Sequence, residues 1–171
     1  MKQILQSGRA NKLTGQVGEY LVAAELARRG LIATTFTGNV PHYDIIASDA
    51  RGRHVSVQVK TSNSLNWQFA IDHFCNIQFR GEHQVIRSVL RQPVNRLVVV
   101  LVKLADVGER DRFFVCTWQR LRDILVRGHR EYLHRHQGRR PKNPQSLHCA
   151  LQASSVKRYE GRWETVSKSL R

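Results

Sequence analysis

The sequence predicts an α/β domain, and three stretches carry that expectation. Residues 13–29 read as one helix. Residues 54–61 alternate apolar and polar, as a half-buried strand does. Residues 96–104 are apolar on both faces, as at the centre of a sheet covered on both sides. With 171 residues the chain fits one domain. A domain of this size buries ~70% of the surface of its unfolded chain, so neither disulfides nor a metal is needed to hold the core. Hydrophobic residues make up 41% of the chain, which excludes a wholly disordered protein.

The elements follow in order. In Leu13–Arg29, Thr14 is the expected cap, Gly30 the stop, and Arg28 and Arg29 suit the C-terminal end of the helix dipole. Val17, Leu21 and Ala24 form the expected inward stripe. Val22, Ala23 and Leu26 form a second, with Glu19 one turn before it on the same side. Ile32–Phe36 and Tyr43–Ala47 read as short strands. Ser48–Gly52 is the turn of a hairpin that leads into His54–Thr61, where Val55, Val57 and Val59 face one way and Ser56, Gln58 and Lys60 the other. Arg96–Leu104 and Arg112–Trp118 are two further strands. Gln119–His136 is a helix carrying Leu121, Ile124, Leu125 and Leu133, and Gly138–Pro144 is a basic, proline-containing loop. The expected organisation is a single domain over 1–171, with a core over 13–118 and a helix and basic tail over 119–171.

Charge points to the partner. Lys and Arg number 28 against 13 Asp and Glu, a formal +15. A balance of that size fits a polyanion: DNA, RNA or an anionic membrane surface. The residues from Arg120 to the C-terminus hold 13 basic and 4 acidic side chains, or +9 of the total. The longest apolar run, Leu97–Val102, is far short of the ~20 residues of a spanning helix. The N-terminal residues carry no apolar block of the signal-peptide kind, so the cytoplasm is the expected compartment. Cys75, Cys116 and Cys149 are odd in number and form no CxxC pair, so they are expected as small buried hydrophobes. His129 and His134 are five apart, not the four of a helical zinc pair. Trp67, Trp118 and Trp163 are expected to pack in the core rather than stack on bases.

The chemistry concentrates in the hairpin. Residues two apart on a strand share a face, so Gln58 and Lys60 lie side by side. Asp44, on the partner strand, interrupts an apolar run between Tyr43 and Ile45. A carboxylate there is costly unless a cation or hydrogen bonds accompany it. With Glu19 on the helix, two carboxylates, an amide oxygen and an ammonium converge at one end of a small sheet. Hard oxygen donors of this kind suit Mg²⁺ or Mn²⁺.

At GEYLVAAELARRG on the helix, YDIIAS on one strand and VQVKTS on the next, the sequence resembles the PD-(D/E)XK, or restriction-endonuclease-like, nuclease superfamily. The match in order and spacing runs from Thr14 to Ser62. Beyond Ser62 the chain is similar to uncharacterised bacterial members, which share a strand–strand–helix extension and a tail ending in an aromatic pair such as Tyr159 and Trp163. The resemblance implies a mixed sheet of about four strands flanked by helices, with a basic helical C-terminal extension. It implies metal ligands at Asp44, Gln58 and the Val59 backbone carbonyl, help from Glu19, and Lys60 acting on the attacking water or the phosphate. It also implies Mg²⁺-dependent hydrolysis of DNA rather than RNA, in a restriction, repair or resolvase-like role. The usual acid of the second motif is replaced by Gln58, as in some branches that remain nucleases. Its carbonyl can ligate a metal but brings no charge, so cation binding is expected to be weaker.

Arg139, Arg140 and Lys142 are the expected phosphate clamp, with Arg28, Arg29, Arg51 and Arg53 as the alternative path for the nucleic acid. Two other readings stay open on these residues. One is a non-catalytic nucleic-acid-binding module with a degenerate nuclease fold. The other is an accessory subunit of a nucleoprotein complex. Pairing into a homodimer is compatible with each.

Overall fold

The computed structural model describes residues 7–36 and 40–170. Chain order is helix α1 (Ser7–Ala27), strands β1 (Ile32–Thr35), β2 (Ile45–Ser48), β3 (His54–Ser62), β4 (Asn66–Ala70), β5 (Cys75–Arg80), β6 (His83–Val89), β7 (Leu97–Lys103) and β8 (Arg112–Thr117), helix α2 (Trp118–Arg135), strand β9 (His148–Gln152), and the short helices α3 (Ala153–Val156) and α4 (Glu164–Ser169). Five strands form one mixed sheet in the order β1-β2-β3-β7-β8. The pairs β1/β2, β2/β3 and β7/β8 are antiparallel, and β3/β7 is parallel. All five strands read from the sequence thus enter one sheet, one more than the four or so that the resemblance implies.

β7 explains why the sheet is covered on both sides. Its odd residues, Leu97, Val99 and Leu101, enter one core, and its even residues, Val98, Val100 and Val102, enter the other. The first core is closed by α2, β4 and β9. The second is closed by α1 and by Trp163, Val166 and Leu170 of the C-terminal segment. The C-terminal third therefore contributes to both cores. Trp67 of β4 is 1% exposed, donates its indole N–H to the Val102 carbonyl at 3.1 Å, and meets Phe114 edge to face at 5.4 Å. Trp118 and Trp163 are buried too, so all three tryptophans pack the cores.

α1 differs from the sequence expectation in start and in facing. It is already helical at Ser7, so Thr14 is a helix-interior residue and not its cap. Val17 is 45% exposed and Ala24 is exposed, whereas Val22 and Leu26 are wholly buried. The reason is Gly18. It lies against Thr61 of β3, and positions four and eight residues on, Val22 and Leu26, follow it onto the buried face. The C-terminus is as expected. Gly30 takes φ 77°, its N–H reaches the Ala27 carbonyl at 2.9 Å, and the Leu31 N–H reaches that of Leu26 at 3.2 Å, a Schellman closure.

β4, β5, β6 and β9 have no counterpart in the sequence reading. β4 pairs with β9, some 80 residues away along the chain, and β5 with β6. Both are short two-stranded ribbons with mixed polar and apolar residues, so neither produces the sustained apolar pattern of the central strands.

A buried polar pair ties the β5–β6 ribbon to α2. Gln84 and His129 are 3% and 4% exposed. The Gln84 amide nitrogen donates to the carbonyls of Pro144 (2.6 Å) and Ser146 (3.0 Å), and its oxygen lies 3.1 Å from His129 Nε2. With both amide hydrogens committed, the oxygen faces the imidazole, and His129 is the Nε2–H tautomer. Burial, and then the charge of Arg140, push its pKa down to about 4 from 6.5. The unfolded chain thus binds this proton more readily than the folded one. The stability tied to neutral His129 is complete above pH ~6.5 and drains away as pH falls toward 4, by roughly 3 kcal/mol at ~1.4 kcal/mol per pH unit. Urea unfolding at pH 7 and pH 4.5 checks this. The wild type should lose markedly more stability between the two than His129→Gln, and equal losses would mean that another group sets the acid limit.

Candidate functional site

The strand read as Tyr43–Ala47 begins at Ile45, and this places the first site residue. Pro41 and His42, the latter at φ 75°, turn the chain just before the sheet, so Tyr43 and Asp44 lead into β2 without being part of it. Tyr43 packs on the first core and meets Phe36 edge to face at 5.7 Å. The Asp44 N–H still bonds to the Val57 carbonyl at 2.9 Å, but beyond that point β3 has no β2 neighbour. The Asp44 side chain takes over: Oδ2 accepts the Val59 N–H at 2.6 Å. In an extended strand one residue's N–H and C=O point to the same edge, so the Val59 carbonyl also faces the open side where Asp44 sits.

Gln58 and Lys60 lie on the face of β3 opposite Val57 and Val59, as the alternation requires. Gln58 is level with Val99 and Lys60 with Leu101 on β7. Gln58 is half-buried and Lys60 is exposed, its Nζ 5.8 Å from the ring centre of Phe69 on β4. Phe69 is a neighbour that the sequence reading did not single out. Its signal was the Trp67/Phe69 alternation of β4, too short to stand out.

Glu19 follows Gly18 on α1, and the close approach of Gly18 to β3 brings it to the same end of the sheet. Burial first, and then the Asp44 charge, hold its carboxyl above the usual range. Asp44 is also raised, by burial, against the opposing pull of the Val59 N–H and the Lys60 charge. Glu19, Asp44 and Lys60 therefore share one electrostatic neighbourhood, with Gln58 on the strand between them. Among the described residues no group of three or more His, Cys, Asp or Glu is placed to hold a metal. The donor set here is of another kind: two carboxylates, an amide oxygen and a main-chain carbonyl, all hard oxygen and all fit for Mg²⁺ or Mn²⁺.

The basic residues singled out from the sequence are placed elsewhere. Arg28 and Arg29 pair with Glu25 at 3.0 and 2.5 Å, and the Arg29 guanidinium lies 4.5 Å over Trp163. They stand about 14 Å along the helix from Glu19, at 1.5 Å per residue. Arg139 pairs with Glu82 at 2.6 Å, and its backbone bridges to His83. Arg140 donates to the His148 carbonyl at 2.6 Å and lies 5.2 Å over Tyr132. Lys142 is exposed. Arg139 and Arg140 are thus held by the protein, not swinging in a free loop.

No protein-family model and no curated protein matches this chain. Among solved structures, a bacterial homing endonuclease, I-Ssp6803I, is similar to it with a TM-score of 0.42 and 16% identity, over 66% of this chain and 72% of that one. Likeness at that level shows neither family nor chemistry. No helix among the described residues is long and apolar enough to cross a membrane.

Proposed function

We propose that the chain is a Mg²⁺- or Mn²⁺-dependent nuclease of the PD-(D/E)XK type that hydrolyses DNA phosphodiester bonds in the cytoplasm, in a restriction, repair or resolvase-like role. The observation that carries this is the Asp44 carboxylate. It is held on the Val59 N–H at the open edge of β3, with Glu19 on one side and the Gln58/Lys60 face on the other. Asp44, Gln58, the Val59 carbonyl and Glu19 are the groups that would hold the ion. When bound, such an ion neutralises developing charge on the phosphate and acidifies water. Lys60, exposed beside Asp44, orients the attacking water and donates to the phosphate oxygens as their charge grows.

The test is cleavage of plasmid and single-stranded DNA with Mg²⁺ or Mn²⁺, repeated with chelator and with Asp44→Asn. Cleavage should require both the metal and Asp44. Gln58 favours the second reading, a binding module without turnover, because an amide there leaves only two formal anions at the site. Such a module would shift DNA equally with and without chelator and cut neither substrate. Gln58→Glu separates the two further. The added charge should tighten Mn²⁺ binding measurably in a titration, whereas identical titrations for both proteins would mean that no ion binds between Asp44 and residue 58.

Affinity for the strand is expected to be largely electrostatic. Removing one cation that neutralises a phosphate should reduce the log–log salt slope by roughly 0.7–0.9. Neutralising Arg139, Arg140 and Lys142 together should therefore flatten a salt series of binding constants. An unchanged slope would place the nucleic acid elsewhere, over Arg28, Arg29, Arg51 and Arg53.

A further inference from the structure

A concave feature lies between α2 and β9. It is a cavity of about 290 Å³ with an apolar wall at Ile124 and Ala150 and cationic groups at Arg135 and Arg140. No carboxylate lines it. Arg140 is fixed in place by its bond to the His148 carbonyl and by the Tyr132 ring beneath it. One bond leaves the rest of its five N–H donors for a ligand, and a guanidinium already held loses little freedom on binding. Arg135 has no ion pair among the described residues. His129 lines the cavity as a neutral ring whose Nε2–H is spent on Gln84, which leaves Nδ1 as an acceptor.

Gly128 is the most informative residue of the group. It sits inside α2, where glycine is less favourable than alanine, and a Cβ built on it meets nothing within 4 Å. The protein's own packing therefore does not require it. It lines the cavity, and a side chain added there would enter open space at the cavity's edge.

The cavity also neighbours the carboxylate site. Cys149, part of its lining, is paired across the ribbon with Phe69, whose ring lies 5.8 Å from Lys60 Nζ. One β4–β9 strand pair separates the two.

We propose that this cavity binds a single nucleotide unit, its phosphate held by Arg135 and Arg140 and its apolar face laid against Ile124 and Ala150. The choice of a nucleotide over another phosphorylated ligand rests on the nuclease reading. The volume is at the lower edge of the ~300–1,000 Å³ of small-ligand sites, so it holds one unit and no more. His129 Nδ1 accepts a hydrogen bond from a hydroxyl or N–H of that unit. A free nucleotide and the phosphorylated end of a bound strand present the same chemistry.

Calorimetry and thermal shift on the full chain, without divalent metal, test the proposal. Thymidine 5′-monophosphate should raise Tm and bind about tenfold or more tighter than thymidine or inorganic phosphate. Gly128→Leu fills the space. It should leave the ligand-free Tm unchanged or higher and weaken that binding by about tenfold or more. Arg140→Gln should weaken the monophosphate and not thymidine. No response to the monophosphate, or full binding by Gly128→Leu, overturns the proposal. Tighter binding of a short strand phosphorylated at either end than of its hydroxyl form assigns the site to a strand end. Equal binding of the two forms, with the monophosphate still bound, assigns it to the free nucleotide. Asp44→Asn should bind the monophosphate like the wild type. Nucleotide binding by a wild type that never cleaves DNA would therefore remove the nuclease reading alone.

Discussion

If the proposed nuclease reading holds, Lys60→Ala should lower the metal-dependent cleavage rate by roughly 10²–10³, the cost of one donor that acts on charge developing in the transition state. The loss should fall on kcat with little change in KM, because the interaction strengthens only as the phosphate oxygens gain charge. Folding should be untouched. Lys60 is exposed and makes one loose approach to Phe69, and surface substitutions of that kind move stability by about 0.5 kcal/mol or less. Single-turnover rates at saturating metal, paired with thermal unfolding, separate the two effects. Unchanged turnover by Lys60→Ala would remove this residue from the mechanism.

Gly18→Val should destabilise the fold strongly. A Cβ at Gly18 would lie 2.9 Å from both Cβ and Cγ2 of Thr61 and closer still to its hydroxyl, so helix and strand must separate. Thr61 is β-branched and cannot swing freely out of the way, and its hydroxyl is already buried without a hydrogen-bond partner. Overpacking of this kind costs about 1–3 kcal/mol, and here the upper end is expected because α1 must lift as a unit. The same displacement carries Glu19 away from Asp44, so cleavage should fall beyond what the unfolded fraction explains. Denaturant unfolding and activity on the residual folded protein measure the two parts. Wild-type stability in Gly18→Val would show that the gap takes a side chain.

The central sheet was legible because its strands obey simple periodicity. β3 alternates, β7 is apolar on both faces, and the Ser48–Gly52 turn closes as expected with Gly52 at φ 74°. The shared face of Gln58 and Lys60 was legible for the same reason, since a two-residue period leaves no choice of face. What the sequence could not show came from contacts distant along the chain. The facing of α1 turned on the contact of Gly18 with Thr61, and amphipathicity alone selected the wrong stripe at Val17. Asp44 looked like a strand residue because Tyr43 and Ile45 flank it; the left-handed turn at His42 moves it outside the ladder. The partnership of β4 with β9, and the Gln84–His129 pair, join segments tens of residues apart and leave no local pattern. Arg139 and Arg140 read as a free basic loop because their partners, Glu82 and the His148 carbonyl, are invisible to a count of charges.

Crystals soaked in Mn²⁺ and measured at the manganese absorption edge test the nuclease account at its source. The account predicts an anomalous peak bounded by Asp44, the Gln58 amide oxygen and the Val59 carbonyl, at roughly 2.0–2.3 Å from its oxygen ligands, and no such peak in Asp44→Asn. A wild-type crystal with no peak at the open edge of β3, under conditions in which the protein cleaves DNA, would contradict it.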